Sequence, residues 1–209
     1  MKIAIFVYDG VTALDVIGPY ESLRRLPDVE VQLFGTSAGP VKVGGGASII
    51  ADIEFKDIDF CDVLIFPGGD IEGVQTVMKN DGLLEWIRER HETTQWTASV
   101  CTGCFILGAA GLMKGLRIAS HWRAREYLSM IEAEYSGDRI TEVGKIITSA
   151  GVSAGIDLGL QLCELISGRE MAQAIQLSME YEPAPPFGAL NYREATPELL
   201  QLLETKIKA

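Results

Sequence analysis

The stretch from Gln95 to Gly115 constrains the fold most strongly, because its pattern changes from strand to helix within a few residues. Its first six residues are rich in β-branched and aromatic side chains, which is typical of a buried strand. From Gly103 onward, small and apolar residues recur at helical spacing. Cys101 therefore lies on the corner between a strand and a helix.

The order Ser99-Val100-Cys101-Thr102-Gly103 has the spacing of a nucleophile elbow, a sharp turn that exposes the side chain at its corner. Unpaired N–H groups at the helix N-terminus lie beside that side chain and favour negative charge. We therefore expect the Cys101 thiol to ionise more readily than a free thiol. The alternative is an inert, buried cysteine that packs as a small apolar residue, as most free cysteines do.

Further apolar runs alternate with segments of helical period along the chain. The runs at 2–8 and 62–66 are apolar without alternation, as expected for strands buried on both faces, and 29–35 is a further predicted strand. The pattern predicts an α/β fold in which helices cover both faces of a parallel sheet. Glycine-interrupted or polar segments at 41–50 and 134–149 have the character of hairpins.

Local signals predict where several helices begin and end. Thr12 is placed to cap a short helical turn, with Asp15 completing the capping box. Gly18-Pro19 should end that turn before a second helix that runs to about Arg25. Ser120 is placed to cap a helix that begins at His121.

The residue pattern of the C-terminal third predicts helices at 153–167, 170–179 and 197–207. Three prolines between Glu182 and Gly188 favour an extended segment before the last helix. With no repeat and no long linker, we expect one domain over residues 1–209, extended from about residue 182 by the proline-rich segment and the final helix.

Composition excludes some classes of function. The net charge of −11, without a basic cluster, argues against a surface that binds nucleic acid. The N-terminus has no signal-peptide pattern, and the most apolar later stretch is shorter than the ~20 residues that span a bilayer. Four cysteines are few for a secreted scaffold, so we expect reduced thiols in a cytoplasmic protein that does not bind membranes.

Candidate catalytic residues follow three predicted strands, whose carboxyl ends meet at one edge of a parallel sheet. Asp15 follows the first strand, Gly68-Gly69 the Phe66 strand, and Cys101-Thr102 the Val100 strand. Burial of Asp15 would raise its pKa and let it donate a proton, although helix capping is an equally valid role. The Gly68-Gly69 and Thr102 amides could form an oxyanion hole, unless the glycines only form a strand-to-helix turn.

The remaining cysteine and histidine residues leave two questions open. Cys101-Thr102-Gly103-Cys104 is also a Cys-x-x-Cys at a helix N-terminus, which is typical of a dithiol redox pair. His121 could approach Cys101, or it could simply pack in the first turn of a helix. No second cysteine pair exists and His91 is the other histidine, so we expect no zinc site.

Several motifs together resemble the ThiJ/PfpI superfamily, which shares a flavodoxin-like core with class I glutamine amidotransferases. They run in order along nearly the whole chain: Ala-Leu-Asp-Val-Ile-Gly-Pro-Tyr-Glu (13–21), Phe-Pro-Gly-Gly (66–69), Val-Cys-Thr-Gly (100–103), Gly-Ala-Ala-Gly-Leu (108–112), Ser-His-Trp (120–122) and Ala-Gly-Ile-Asp (154–157). Within the superfamily, the first and third motifs and Glu-Tyr-Glu-Pro-Ala-Pro-Pro-Phe (180–187) look most like the isonitrile hydratases.

The resemblance implies Cys101 as nucleophile, Asp15 as its acidic partner and Thr102 as a supporting residue. It implies a homodimer that adds water to a small-molecule isonitrile without a cofactor. Thr102 stands where protease members have histidine, and Cys104 stands where we would expect a small or hydroxyl residue. Two rival hypotheses use the same cysteine: glyoxalase or deglycase activity on α-oxoaldehydes, with His121 as base, and a redox sensor that oxidises Cys101 or pairs it with Cys104.

Overall fold

A mostly parallel sheet lies at the centre of residues 1–179. In the computed structural model, which describes residues 1–188 and 190–206, eleven strands are numbered in chain order: β1 Lys2–Phe6, β2 Glu30–Gly35, β3 Gly39–Lys42, β4 Ser48–Ala51, β5 Ile53–Glu54, β6 Val63–Phe66, β7 Trp96–Val100, β8 Arg117–Ile118, β9 Glu134–Tyr135, β10 Ile140–Val143 and β11 Ile146–Ser149. The described part of the chain has seven α-helices: α1 Ala13–Leu23, α2 Ile71–Val77, α3 Asp81–Thr93, α4 Cys104–Ala109, α5 Ala154–Ser167, α6 Arg169–Ser178 and α7 Pro197–Lys206.

Seven strands form the main sheet in the order β10-β11-β7-β6-β1-β2-β5 within the described residues. Every neighbouring pair is parallel except β10 and β11, which form an antiparallel hairpin at one edge. All four residues of β6 and the last four of β7 are buried, so both faces of these strands are covered. The predicted parallel α/β fold is confirmed.

The register of the central strands brings the candidate residues to one edge of the sheet. Ile5 of β1 pairs with Ile65 of β6, and Phe66 of β6 pairs with Ser99 of β7. Since these strands are parallel and adjacent, the loops after β1, β6 and β7 start side by side. Cys101 and Gly68-Gly69 follow the ends of β7 and β6 within three residues, and Asp15 lies in the first turn of α1, the helix after β1.

Helix α1 is continuous from Ala13 to Leu23, so the break predicted at Gly18-Pro19 is wrong. The proline removes one helical N–H, but α1 packs closely along α5, and this contact stabilises the helix as a whole. A Cβ on Gly18 would lie 3.1 Å from the amide nitrogen of Ile156. Thr12 occupies the N-cap position without a side-chain hydrogen bond, so the predicted capping box does not form.

The helix expected after Ser120 is a 3-10 helix over Trp122–Ile131, and Ser120 does not cap it. The side chain of His121 takes that role, because its Nδ1 accepts a hydrogen bond from the amide of Arg123 at 3.3 Å. The hydroxyl of Ser120 donates instead to the backbone oxygen of Cys101, in the turn after β7. Tertiary contact therefore overrides the local capping signal.

Most other sequence-based elements are confirmed within a residue or two of their predicted ends. The 41–50 hairpin forms from β3 and β4, and the 134–149 segment contains the β10–β11 hairpin, although β9 pairs with β8 instead. Helix α5 ends at Gly168, as predicted. The final helix begins at Pro197, whereas its predicted end at Ile207 lies outside the described residues.

The chain divides into two compact units, residues 1–179 and a second unit from Glu180 onward. In the second unit, residues 181–188 are non-helical, in agreement with the expected extended segment, and α7 follows. The expectation that one domain covers residues 1–209 stays a prediction. Within the described residues, every helix is too short or too polar to cross a bilayer.

Candidate active site

Cys101 lies at the sharp turn between β7 and α4. Its backbone has φ of +59°, a left-handed conformation that is uncommon for residues other than glycine and is often found where a fold strains a functional residue. The chain continues as a 3-10 turn over Cys101–Gly103. A Cβ on Gly103 would lie 1.9 Å from the carbonyl oxygen of Phe66, so this close approach of α4 to β6 requires glycine. The predicted elbow is present.

Asp15 lies in the first turn of α1 and is fully buried. Its Oδ2 accepts a hydrogen bond from the amide of Gly68 at 3.0 Å. Its Oδ1 is buried and has no partner of full hydrogen-bond geometry among the described residues. Burial raises the pKa of Asp15 to about 7, and hydrogen bonding by Gly68 and the Cys101 thiol opposes that rise.

Cys101 is buried, with an exposed fraction of only 6 % for the whole residue. Burial, and after it the negative charge of Asp15, raise the pKa of this thiol to about 12, although the amides of Val152 and Thr102 hydrogen-bond to the sulfur and lower it. The expectation of an easily ionised thiol is therefore wrong for the resting protein. Burial disfavours the thiolate more strongly than the two amides favour it.

These two residues form an interacting acid pair, because the charge of Asp15 raises the pKa of the Cys101 thiol. Near neutral pH the pair begins to carry one negative charge, which rests mainly on Asp15 because its pKa is the lower of the two. Moving the thiol proton to Asp15 would keep the total charge unchanged. The arrangement can thus supply a nucleophilic sulfur and an acidic proton at the same place.

The amides of Gly68 and Gly69 are both occupied by side chains. Gly68 donates to Asp15, and Gly69 donates to the hydroxyl of Thr102 at 3.1 Å. The Thr102 hydroxyl in turn lies 3.3 Å from the carbonyl oxygen of Gly69, to which it can donate. In this resting arrangement, the two glycines hold the side chains of Asp15 and Thr102 in position.

Val152 is a site residue that sequence reasoning missed. It lies in the loop between β11 and α5 with φ of +39°, and its N–H hydrogen-bonds to the sulfur of Cys101. A β-branched residue in this conformation is a clear outlier. No sequence motif indicates it, since the valine contributes its backbone and not its side chain.

Tyr8 is a second residue that the sequence did not single out. It is buried beneath the site, and its hydroxyl lies 3.2 Å from the carbonyl oxygen of Pro67, to which it donates. Burial, followed by the charges of Asp15 and Cys101, raises the pKa of Tyr8 well above its usual value. Tyr8 ends the first predicted strand, and this position at the carboxyl edge of the sheet is the sequence feature that could have indicated a residue near the site.

His121 packs on the loop next to this site. A Cβ on Gly151 would lie 2.2 Å from the His121 ring, which places the ring against the residue before Val152. Burial first, and then the charge of Arg123, lower the pKa of His121. The other histidine, His91, is elsewhere, where its Nδ1 lies 2.8 Å from the Thr97 hydroxyl. Among the described residues, no three Asp, Glu, Cys or His side chains are grouped as metal ligands.

Comparison with known proteins identifies relatives of this chain. The profile of the DJ-1/PfpI family matches residues 1–165. An isonitrile hydratase of Pseudomonas putida is 37% identical over 187 residues, which cover 90% of this chain and 81% of that protein. A glutathione-independent glyoxalase of Caenorhabditis elegans, DJR-1.2, is 24% identical over 149 residues, which cover 70% of this chain and 78% of the relative.

A crystal structure of a ThiJ/PfpI family protein from Pseudomonas syringae superposes with a TM-score of 0.91 at 32% identity. The match covers 97% of this chain and 86% of that one. A DJ-1 structure from Schizosaccharomyces pombe shares the fold with a TM-score of 0.76 at 22% identity, over 88% of this chain and 100% of that chain. The sheet, the family profile and these relatives agree: the chain belongs to the DJ-1/PfpI family.

Proposed function

We propose that this protein adds water to an isonitrile and releases an N-substituted formamide. One observation carries the proposal: the buried carboxyl of Asp15, with a pKa of about 7, faces the thiol of Cys101 at a strained elbow. The relative of 37% identity is an isonitrile hydratase, which supports the same reaction here.

The reaction requires a nucleophile and a proton at one carbon atom. The terminal carbon of an isonitrile is electrophilic, yet it also carries the lone pair that must be protonated. A pair with one negative charge fits this requirement, because the proton that leaves the Cys101 sulfur can pass through Asp15 to that carbon. We infer that the carboxylate of Asp15 removes the thiol proton as the sulfur attacks.

In the first step, a sulfur–carbon bond forms, and the proton on Asp15 moves to the same carbon. The product is a thioimidate, in which the former isonitrile carbon is joined to Cys101 and double-bonded to nitrogen. Asp15 returns to its carboxylate form. No electron leaves or enters the site, so this step needs no redox partner.

In the second step, Asp15 accepts a proton from water as the water oxygen bonds to the thioimidate carbon, and that proton passes to nitrogen. The tetrahedral species is held by the Thr102 amide, with the Gly69 amide added when the Thr102 hydroxyl turns away from it. The carbon–sulfur bond then breaks, the hydroxyl proton returns to sulfur, and the formamide leaves. In total, one isonitrile and one water give one N-substituted formamide, and the Cys101 thiol and the Asp15 carboxylate are regenerated.

The burial of Cys101 favours this substrate class. The Cys101 sulfur is nearly closed off, with 6 % of the residue exposed. An isonitrile ends in a linear N–C group one atom wide, so its terminal carbon can reach a recessed nucleophile. The trigonal carbonyl of an α-oxoaldehyde carries two substituents at the reacting carbon and needs a wider opening.

The test is a side-by-side assay of the purified protein with an aryl isonitrile and with methylglyoxal. We expect formamide to accumulate with the isonitrile, and acid quenching to trap the thioimidate on the Cys101 peptide for mass spectrometry. Cys101→Ala should abolish formamide formation. The matched control is Cys61→Ala, since Cys61 is equally buried but lies just before β6, at the amino end of that strand.

Two results would overturn the proposal. Wild-type turnover by Cys101→Ala would exclude Cys101 as the nucleophile. Turnover of methylglyoxal alone would favour the glyoxalase hypothesis, the second candidate, which the similarity to the glyoxalase DJR-1.2 supports. A redox sensor is disfavoured by the raised pKa of Cys101, because the thiolate is the form that peroxide oxidises.

We retain the homodimer as a proposal from family resemblance, to be checked by analytical ultracentrifugation.

A further inference from the structure

The backbone oxygen of Cys101 contacts two buried side chains that the mechanism above does not use. The hydroxyl of Ser120 donates to this oxygen at 3.0 Å. The thiol of Cys104 lies 3.5 Å from the same oxygen and 3.3 Å from the Ser120 hydroxyl, so it can donate to either. Both side chains are fully buried. We call these two side chains the carbonyl clamp.

The carbonyl clamp acts on the same peptide group that contacts the nucleophile. The carbonyl of Cys101 and the N–H of Thr102 belong to one planar peptide unit. That N–H is one of the two amides that hydrogen-bond to the Cys101 sulfur. Holding the oxygen at one end of the plane therefore fixes the direction of the N–H at the other end.

The clamp also polarises this peptide. A thiol that donates to a hydroxyl, which in turn donates to a carbonyl, forms a chain in which each hydrogen bond strengthens the next. A polarised carbonyl makes its own peptide N–H a better donor. The clamp should therefore strengthen the stabilisation of a thiolate on Cys101 by the Thr102 amide.

The strained backbone of Cys101 explains why such a clamp is needed. A residue other than glycine in the left-handed region is strained and persists only where its surroundings fix it. The amide of Cys101 donates to the carbonyl of Ala150 at 3.1 Å, and the clamp holds the carbonyl on the other side. Both peptide groups of Cys101 are thus held by hydrogen bonds.

We propose that Ser120 and Cys104 are positioning residues of the active site: they orient the peptide between Cys101 and Thr102 so that its N–H faces the Cys101 sulfur. The effect on turnover depends on the proposed isonitrile hydration. The effect on the thiol does not, so the two can be tested separately. This role requires a hydrogen-bond donor at position 104, which a thiol or a hydroxyl can supply and an alanine cannot.

The first test measures alkylation of Cys101 by iodoacetamide at pH 8 in Ser120→Ala, with mass spectrometry to count modification at Cys101 alone. Losing one buried hydrogen bond should raise the pKa of the thiol by about one unit. The fraction of Cys101 present as thiolate then falls about tenfold. A thiolate of higher pKa is more reactive, which partly offsets this loss, so we expect alkylation about fourfold slower.

The activity of Ser120→Ala is the second readout. With an isonitrile as substrate, kcat should fall about fivefold while KM stays within about twofold of wild type.

The matched control is Ser149→Ala. Ser149 is also fully buried, and its hydroxyl donates to a strand carbonyl, that of Ser99, at 3.3 Å. This variant loses the same kind of hydrogen bond without touching the peptide of Cys101. We expect its alkylation rate to stay within about twofold of wild type, whatever its loss in thermal stability.

A second pair of variants tests the other member of the clamp, and it also serves if Ser120→Ala does not fold. Cys104→Ala should slow alkylation about twofold, and Cys104→Ser, which keeps a donor, should restore the rate. Equal alkylation rates in Ser120→Ala, Cys104→Ala and Ser149→Ala would overturn the proposal. Slower alkylation in a protein that hydrates no isonitrile would support the clamp and refute the proposed function.

Discussion

The amide of Gly68 donates to the carboxyl of Asp15 at 3.0 Å, a buried contact between residues 53 positions apart. It joins the loop after β6 to the first turn of α1, and both lie beside Cys101. The amide lowers the pKa of Asp15, but burial raises it more, so the carboxyl titrates near pH 7. This balance places the acid–base group of the site in the range where it can both accept and return a proton.

The pH dependence of activity should follow this carboxyl. We expect kcat/KM for an isonitrile to rise about tenfold per pH unit below pH 7 and to level off above it, because the pair needs one negative charge. In Asp15→Asn this limb should vanish and the rate should fall about 10²- to 10⁴-fold. If the rise of kcat/KM below pH 7 were the same in Asp15→Asn as in the wild type, another group would be responsible for it.

The stability of the protein should change with pH in the opposite direction. The folded pKa of Asp15, about 7, lies above its ordinary value of 3.8, so the folded state binds more protons than the unfolded state between these values. Stability from this carboxyl is full below about pH 4 and declines as pH rises to 7, by about 4 kcal/mol in all.

Asp15→Asn removes that decline, so it should be more stable than wild type at pH 8, by about 2–4 kcal/mol, with the difference shrinking towards pH 5. Urea unfolding at several pH values measures it. A variant that is less stable at every pH would contradict the assignment of the raised pKa to burial.

Thr102 should affect the loop that carries Gly69. Thr102→Val keeps the volume but removes the hydroxyl that contacts both the N–H and the carbonyl of Gly69. We expect the free energy of unfolding to fall by about 1–2 kcal/mol and kcat/KM to fall about tenfold. Thr102→Ser, which keeps the hydroxyl, serves as the control and should stay near wild type in both measurements.

Two glycines near helix starts should respond in opposite ways to alanine. At Gly103 a Cβ would lie 1.9 Å from a backbone oxygen, so Gly103→Ala should destabilise the protein by about 3 kcal/mol or more. At Gly82, in the first turn of α3, the nearest atom would be 3.7 Å away. Gly82→Ala should stabilise by about 0.5–1 kcal/mol. Thermal denaturation compares the two, and equal effects would contradict the described elbow.

Some local predictions failed for a shared reason. Gly18-Pro19 carries a strong signal to end a helix, and Ser120 carries a strong signal to start one. In the fold, α1 packs along α5 through Gly18, and the Ser120 hydroxyl turns to the oxygen of Cys101. Propensity is worth a few tenths of a kcal/mol to a few kcal/mol, and tertiary packing can exceed it.

The sequence by itself determined the order of strands and helices, the parallel sheet and the corner at Cys101, because hydrophobic periodicity and glycine spacing are local properties. Only the tertiary structure decided the chemical state of the site. The raised pKa values of Asp15 and Cys101 arise from burial, and the Val152 amide reaches the sulfur through a backbone conformation that has no sequence signal. Burial and backbone direction depend on neighbours distant in the chain, so local patterns do not determine them.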